Sequence, residues 1–182
     1  MGKKISEIFF VIVFFPITII FFIFKFIYKQ ISKKRISKYI SELTLENIDN
    51  LSGVDFEDFL YYLLTNVGFK VKRTKKSYDY GADLIINLKN EIIVIQCKLY
   101  NNHSVGNSAV QEVYSATNYY NASLGIVITN SYFSKSAINL ANKSGILLWN
   151  RNTINQLIKL EENQKKSFIN ELYLSAISKQ TA

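Results

Sequence analysis

An uncharged apolar run near the amino terminus constrains the fold of this chain most strongly. Residues 8–24 form 17 consecutive positions without a charged side chain, and most of them are Phe, Ile or Val. A helix of this length spans roughly 25 Å, a little less than a hydrocarbon core of about 30 Å, and snorkelling of Lys25 extends the apolar length to Tyr28. No helical phase offers a polar face, which disfavours a buried core helix. We therefore predict one transmembrane helix, with membrane lipid contacting residues 8–28.

The charges around this run favour an anchor that is retained. Lys3 and Lys4 precede the run, and six basic residues follow it up to Lys38. A cleaved signal peptide is the alternative, but no small-residue cleavage site follows the apolar stretch. The positive-inside rule places the more basic flank in the cytoplasm. We therefore expect a single-pass protein of the cell membrane, with residues 29–182 on the cytoplasmic side.

Length and composition bound what the rest of the chain contains. A chain of 182 residues holds one ordinary domain and an appendage. A single cysteine and a single histidine exclude an internal disulfide framework and a zinc cluster of His and Cys ligands. The composition shifts divide the chain into a membrane anchor at 1–28, a basic and polar linker at 29–52, a folded domain at 53–150 and a C-terminal helical extension at 151–182.

The hydrophobic periodicity of the folded domain predicts an α/β fold. Apolar residues recur at helical spacing over some segments and alternate, or run continuously, over shorter ones. The predicted order is helix 54–66, strands 69–74, 83–88 and 91–98, helix 107–120, strand 124–129, helix 134–143 and strand 146–149, with helical patterns at 154–160 and 168–177. This order favours a central mixed β-sheet flanked by helices on both faces.

Polar side chains at the end of strand 91–98 are the candidates for chemistry. Gln96 and Lys98 share one face of the strand, because successive side chains alternate. A hairpin about the turn at 89–90 pairs residue n with residue 179−n, which brings Asp83 opposite Gln96 and makes Asp83 the expected partner of Lys98. A carboxylate, an amide oxygen and a lysine at one strand edge suit a magnesium site, where Lys98 could orient water, take its proton or stabilise charge. An Asp–Lys pair that only caps the hairpin, with Gln96 as a spectator, is the structural alternative.

Several separated segments resemble one nuclease family. They are similar, in order and spacing, to the catalytic domain of Mrr-like restriction endonucleases, the type IV branch of the PD-(D/E)XK superfamily that carries Gln-x-Lys. The resemblance covers residues 53–150 and rests on Phe56-Glu57, Leu63-Leu64, Gly68-Phe69 with Val71, Asp79-Tyr-Gly-Ala-Asp83, Gln96-Cys-Lys98, Val105-Gly106, Val110-Gln-Glu-Val113, Ile128-Thr-Asn-Ser131 with Phe133, Ala137 and Ala141.

The resemblance implies a restriction-endonuclease-like fold that cuts DNA phosphodiesters with Mg²⁺ or Mn²⁺. Asp83 matches the metal-binding aspartate of the family. Gln96 stands where most superfamily members have Asp or Glu and where the Mrr branch has Gln. Glu57 matches the first-helix glutamate that assists the metal directly or through water, and Lys98 matches the catalytic lysine. No small-molecule organic cofactor is expected.

Two further positions match the family pattern but have ordinary explanations as well. Asp79 corresponds to the first acid of the Asp-x-Gly-x-Asp pattern, and an Asx-turn before Gly81 explains it equally. Gln111 lies on a predicted helix, where a solvent-facing position explains it equally.

The basic residues of the folded part support DNA binding only modestly. Residues 53–182 contain 14 Lys and Arg and 10 Asp and Glu, a net charge of +4. Such a charge supports weak phosphate contacts that are largely independent of DNA sequence. The strand after the first helix carries the best local patch, which we predict to contact DNA through Lys70, Lys72, Arg73 and Lys76. A solvated edge strand is the alternative.

These observations lead to one main hypothesis and two alternatives. The main hypothesis is a membrane-anchored, Mg-dependent DNA endonuclease with a role in restriction of foreign DNA. It cuts one strand per active site, so double-strand cutting would call for a homodimer. One alternative is a catalytically silent nuclease fold that serves as a DNA-binding or protein-interaction module at the membrane. Another keeps the nuclease but gives it a structured or damaged DNA, or an RNA, as substrate.

Overall fold

The computed structural model describes residues 19–27, 30–31, 35, 38–40, 42–74, 80–88 and 91–180. The chain divides into two compact units, Met1–Lys38 and Tyr39–Ala182. In the first unit the described residues are helical, and the stretch 19–27 is exposed. Within the described residues, no helix combines the length and the apolar character that crossing a membrane requires. The anchor predicted at 8–28 falls mostly outside the described residues and stays a prediction.

The second unit is an α/β fold around a five-stranded mixed sheet, as expected. The sheet order is β1-β2-β3-β4-β5; the first two pairings are antiparallel and the last two are parallel. In chain order the elements are α1 Leu45–Asp49, α2 Gly53–Val67, β1 Lys70–Arg73, β2 Leu84–Leu88, β3 Glu91–Lys98, α3 Asn107–Tyr119, β4 Leu124–Thr129, α4 Lys135–Ser144, β5 Leu147–Trp149, α5 Arg151–Lys159 and α6 Glu162–Gln180.

Local sequence signals fix where the helices begin and end. Ser52 accepts a hydrogen bond from the Asp55 N–H at the start of α2, and Ser134 does the same for the Ala137 N–H at the start of α4. Gly68 ends α2 in the left-handed conformation, with φ +104°. These caps hold the helices in the positions from which they cover the sheet.

Helices cover both faces of the sheet. On one face, α3 packs on β3 and β4 and also on α4, and small side chains such as Ala109, Val110 and Val113 join Val94 and Val127 in the core. On the other face, α2 contacts β1 and β3, and its buried side chains include Phe56 and Leu60. The central strands β3 and β4 are therefore covered by apolar side chains on both faces.

The compact unit is wider than the domain expected from the sequence. It begins at Tyr39, and Ile40 and Ile48 are fully buried although they lie in the predicted linker. A capping box between Thr44 and Asn47 starts α1, whose five residues are too few to show a periodicity. At the other end α6 contacts α2, and the Asn66 side chain donates a hydrogen bond to Glu162.

A bidentate ion pair ties α1 to α5. The Arg151 guanidinium contacts the two oxygens of Asp49 at 2.6 and 2.8 Å, and Asn130 donates to the same carboxylate at 2.9 Å. The hydrogen bond from Arg151 lowers the pKa of Asp49 below its usual value, against the opposing effect of burial. The pair therefore stabilises the fold wherever Asp49 is ionised.

We expect Asp49→Asn to lower the free energy of unfolding by about 1 kcal/mol at pH 7, a value reduced by the partial exposure of the pair. The lowered pKa means that this contribution is complete above a pH of about 4 and is lost as the pH falls through the pKa of the folded state. Urea unfolding at pH 7 and at pH 3 measures the difference. Asp58→Asn, which breaks the more exposed pair with Arg73, should change stability less. An equal effect of both variants would contradict this account.

Candidate active site

The β2–β3 hairpin assembles the centre of the candidate site. The register pairs Leu84 with Ile95 and Ile85 with Val94, which confirms the predicted sum of 179 as far as Leu84, the residue that follows Asp83. The Asp83 N–H donates to the Ile95 carbonyl at 2.8 Å. These contacts fix the half-buried Asp83 at the end of the sheet where β3 finishes.

The Asp83 carboxylate is held by the backbone of β3. Its Oδ2 accepts a hydrogen bond from the Cys97 N–H at 2.6 Å. A hydrogen bond from a backbone N–H restrains the orientation of a carboxylate, because the donor belongs to a strand of the sheet. Asp83 is therefore held beside the end of β3.

Gln96 brings a second oxygen that is buried and unsatisfied. The residue is 6% exposed, and its Oε1 has no hydrogen-bond partner within the part of the chain that the structure describes. A buried acceptor without a partner costs on the order of 1–3 kcal/mol, so native proteins rarely keep one without a reason. A ligand that binds this oxygen would remove the cost.

Lys98 ends β3 on the same face as Gln96. From the sequence we expect Asp83 as its partner, but the structure gives it an ion pair with Glu112 of α3, with Nζ 2.6 Å from Oε2. Glu112 is the sole acidic residue in the sequence of α3, and this could have marked it as a candidate partner for Lys98. Sequence alone could not show that α3, and not another helix, covers the end of β3.

The pKa of the buried Cys97 thiol depends on the charged side chains around it. Burial raises the pKa of Cys97 well above its ordinary value, the charges of Asp83 and Glu57 raise it further, and Lys98 lowers it. A raised pKa favours the protonated thiol, which is a poor nucleophile. Glu57, one turn into α2 and half-buried, therefore lies close enough to Cys97 for its charge to act on the thiol.

A close backbone contact holds the loop before Asp83 against α3. Gly81 has φ +90°, and a Cβ at this position would lie 2.7 Å from the carbonyl carbon of Glu112 and closer still to its oxygen. Beside it the rings of Tyr80 and Tyr119 stack at 3.7 Å between centroids. Only glycine allows both this conformation and this approach.

We expect Gly81→Ala to displace the loop from α3 and to lower the cleavage rate of the proposed nuclease by on the order of 10²-fold, because misplacement of a reacting group by about 1 Å has costs of that size. Single-turnover DNA cleavage measures the effect, and circular dichroism checks that the fold survives. Gly53→Ala is the matched control, since a Cβ at Gly53 meets nothing within 4 Å. Equal rates for the two variants would contradict the role of the contact.

The remaining predicted site residues lie in different surroundings. Lys70 and Lys72 are exposed on the edge strand β1, whereas Arg73 pairs with Asp58 at 3.0 Å and lies 4.1 Å from the ring centre of Tyr61. Arg73 is therefore engaged with α2. Gln111 is exposed on α3. Lys76 and Asp79 lie outside the described residues.

The donor set of the site fits a hard divalent cation. Among the described residues no group of three or more His, Cys, Asp or Glu side chains could hold a metal ion. Asp83 offers a carboxylate and Gln96 offers the unsatisfied amide oxygen, which is the oxygen chemistry that Mg²⁺ accepts together with several waters. Glu57 could assist from α2, while the protonated thiol of Cys97 is unsuited to such an ion.

Comparison with known proteins identifies the family of this domain. A search of the curated proteins gives no match. A protein of unknown function, AF1548, is similar in structure with a TM-score of 0.46 and 15% identity over 67% of this chain and 97% of its own. The DNA modification-dependent restriction endonuclease AspBHI has a TM-score of 0.49 and 18% identity over 79% of this chain and 40% of its own. The MspJI restriction endonuclease, solved with a 27-mer oligonucleotide, has a TM-score of 0.46 and 15% identity over 83% of this chain and 35% of its own.

The chain therefore spans less than half the length of these two endonucleases. The family model described as restriction endonuclease, the Mrr catalytic domain, matches residues 48–158, which is more than half of this chain. The match includes α2, the whole sheet and the residues of the candidate site. The chain belongs to the Mrr catalytic-domain family of restriction endonucleases.

Proposed function

We propose that this protein is a metal-dependent DNA endonuclease that hydrolyses phosphodiester bonds from the cytoplasmic side of a membrane. The observation that carries the proposal is the buried, unsatisfied Oε1 of Gln96 opposite the oriented carboxylate of Asp83. A residue that only caps the hairpin does not need this oxygen, because burying a well-packed apolar side chain would cost less free energy.

The cation of the proposed enzyme is Mg²⁺ or Mn²⁺, held by Asp83 and Gln96, with Glu57 assisting directly or through water. When bound, such an ion activates the attacking water and offsets charge on the phosphate. Asp83 directly precedes β2 and Gln96 lies in β3, and the hydrogen bonds of Asp83 to the backbone of Ile95 and Cys97 keep the two residues close together.

Lys98 supplies the positive charge from the protein. It leaves β3 on the same face as Gln96, two residues further along, so both side chains can reach one phosphate group. Its ammonium can donate hydrogen bonds to the oxygens on which charge develops during hydrolysis, and this is the kind of preorganised donor that lowers a barrier most.

DNA is the proposed substrate because the family is one of restriction endonucleases. Lys70 and Lys72 are exposed on β1 and are proposed to contact phosphates along the duplex. Arg73 is proposed to hold the strand on α2 through Asp58 and Tyr61. The modest positive charge of the domain favours contacts that depend little on DNA sequence.

The amino-terminal segment is proposed to tether the nuclease to the cell membrane. The support is the uncharged run at 8–24 with its basic flank, which also favours the cytoplasmic side for the nuclease domain. A tether at this place would confine cutting to DNA near the membrane, which suits a role in restriction of incoming DNA. A homodimer that pairs two single-strand cuts is compatible with this setting.

The full-length protein in detergent, incubated with supercoiled plasmid, tests the proposal. We expect nicking or linearisation with Mg²⁺ and none with EDTA. Methylated and unmethylated plasmids, and a folded RNA of equal mass, separate modification dependence and substrate class. A folded protein that binds DNA but leaves every substrate intact would contradict the proposal and favour a silent binding module.

A further inference from the structure

We infer that Glu112 is a positioning residue, which holds the Lys98 ammonium in place for the reaction. The inference rests on the proposed function, because it gives Lys98 the role of stabilising charge on a phosphate. The segment Val110-Gln-Glu-Val113 is part of the family resemblance, which gives no role to Glu112; the role inferred here follows from its contact with Lys98 at the end of β3.

The two side chains form a close and partly shielded pair. Nζ of Lys98 lies 2.6 Å from Oε2 of Glu112, and the side chains are 24% and 41% exposed. A lysine has a flexible four-carbon stem, so an unpaired Lys98 would sample many positions. The carboxylate selects the rotamers in which the ammonium lies against Glu112 on α3.

The carboxylate is attached to a backbone that is itself fixed. Gly81 lies directly against the main chain of Glu112, and the Tyr80–Tyr119 stack holds the same loop to α3. Gly81 is two residues before Asp83. Glu112 therefore acts in two ways: its side chain holds Lys98, and its backbone supports the loop that leads to Asp83.

A purely structural role for Glu112 makes a different prediction. Partly exposed ion pairs contribute little to stability. Glutamine has the shape of glutamate and can still accept one hydrogen bond from Lys98, but it lacks the charge that holds the ammonium. If Glu112 only filled space on α3, Glu112→Gln would leave every property of the protein unchanged.

The test measures the pairing and the reaction separately in full-length protein. Reaction with a limiting amount of acetic anhydride, followed by mass spectrometry, gives the accessibility of Lys98 relative to Lys72. Single-turnover plasmid nicking gives the rate, and DNA binding measured in EDTA gives the affinity. Glu91→Gln, which removes an exposed carboxylate from the opposite end of β3, is the charge-matched control.

We expect Glu112→Gln to raise acetylation of Lys98 at least about threefold and to change DNA affinity less than about threefold. The nicking rate should fall by about 10- to 100-fold, which is the size of effect expected when a catalytic group is misplaced. Glu112→Ala should lose more, and Glu91→Gln should match the wild type. Wild-type nicking rate in Glu112→Gln, or unchanged acetylation of Lys98, overturns the inference while leaving the proposed function intact. Absence of nicking by the wild type overturns the proposed function instead, and with it the reaction in which Lys98 is positioned.

Discussion

Asp83→Asn is expected to reduce DNA cleavage by on the order of 10³-fold while the protein stays folded. The physical reason is that Asp83 and Gln96 are proposed to hold the cation, and only the Asp83 side chain can carry a negative charge. Asparagine keeps an oxygen that can accept from the Cys97 N–H, so the hairpin should survive. Single-turnover nicking gives the rate, and calorimetric titration with Mn²⁺ gives the loss of metal binding.

The control for Asp83→Asn is a carboxylate of the same domain outside the site. Asp55, in the first turn of α2, accepts a hydrogen bond from Ser52 and is exposed. Asp55→Asn should bind Mn²⁺ and cut DNA as the wild type does. If Asp83→Asn kept its metal affinity and its rate, the hairpin could not be the catalytic centre.

Gln96→Leu is expected to slow cleavage strongly and, at the same time, to stabilise the protein. Leucine is close to glutamine in size and needs no hydrogen-bond partner, so it removes the unsatisfied Oε1 from a position that is almost fully buried. We expect a gain of about 1 kcal/mol in the free energy of unfolding and a loss of cleavage on the order of 10²-fold or more. Urea unfolding without divalent metal and single-turnover nicking with Mg²⁺ give the two values.

Gln96→Glu completes the comparison, because it keeps an oxygen at the same place. Without a cation a buried carboxylate should destabilise the fold, and Mg²⁺ should restore the stability by binding the folded state. Cleavage should persist in this variant. A destabilised Gln96→Leu that still cuts DNA would mean that Gln96 is a packing residue and not a metal ligand.

The geometry of the hairpin was predictable because few variables determine it. Two strands that are separated by only two residues and have strict side-chain alternation leave one register, so the pairing of residues 84–88 with residues 91–95 and the shared face of Gln96 and Lys98 followed from the sequence. The strand 91–98 and the strand 124–129 have the bounds that were expected. Local patterns therefore specified most of the sheet.

The contacts that were not predictable join residues far apart in the chain. The partner of Lys98 depended on which helix covers β3, and the Asp49–Arg151 pair joins a five-residue helix to one that follows the last strand. The sequence predicts that Arg73 belongs to a basic patch, whereas in the structure Arg73 pairs with Asp58 and lies over the ring of Tyr61, both in α2. Sequence periodicity carries no information on such long-range pairings.

The rate at which full-length Lys98→Ala nicks supercoiled plasmid, compared with wild type, tests the central claim most directly. The account predicts that the wild type nicks with Mg²⁺ and not with EDTA, and that Lys98→Ala folds, binds DNA and cuts at least about 100-fold more slowly. Lys72→Ala, an exposed lysine on β1 proposed to contact only a phosphate, should change affinity more than rate. Equal cleavage by the wild type and Lys98→Ala would show that the end of β3 is not where the chemistry takes place.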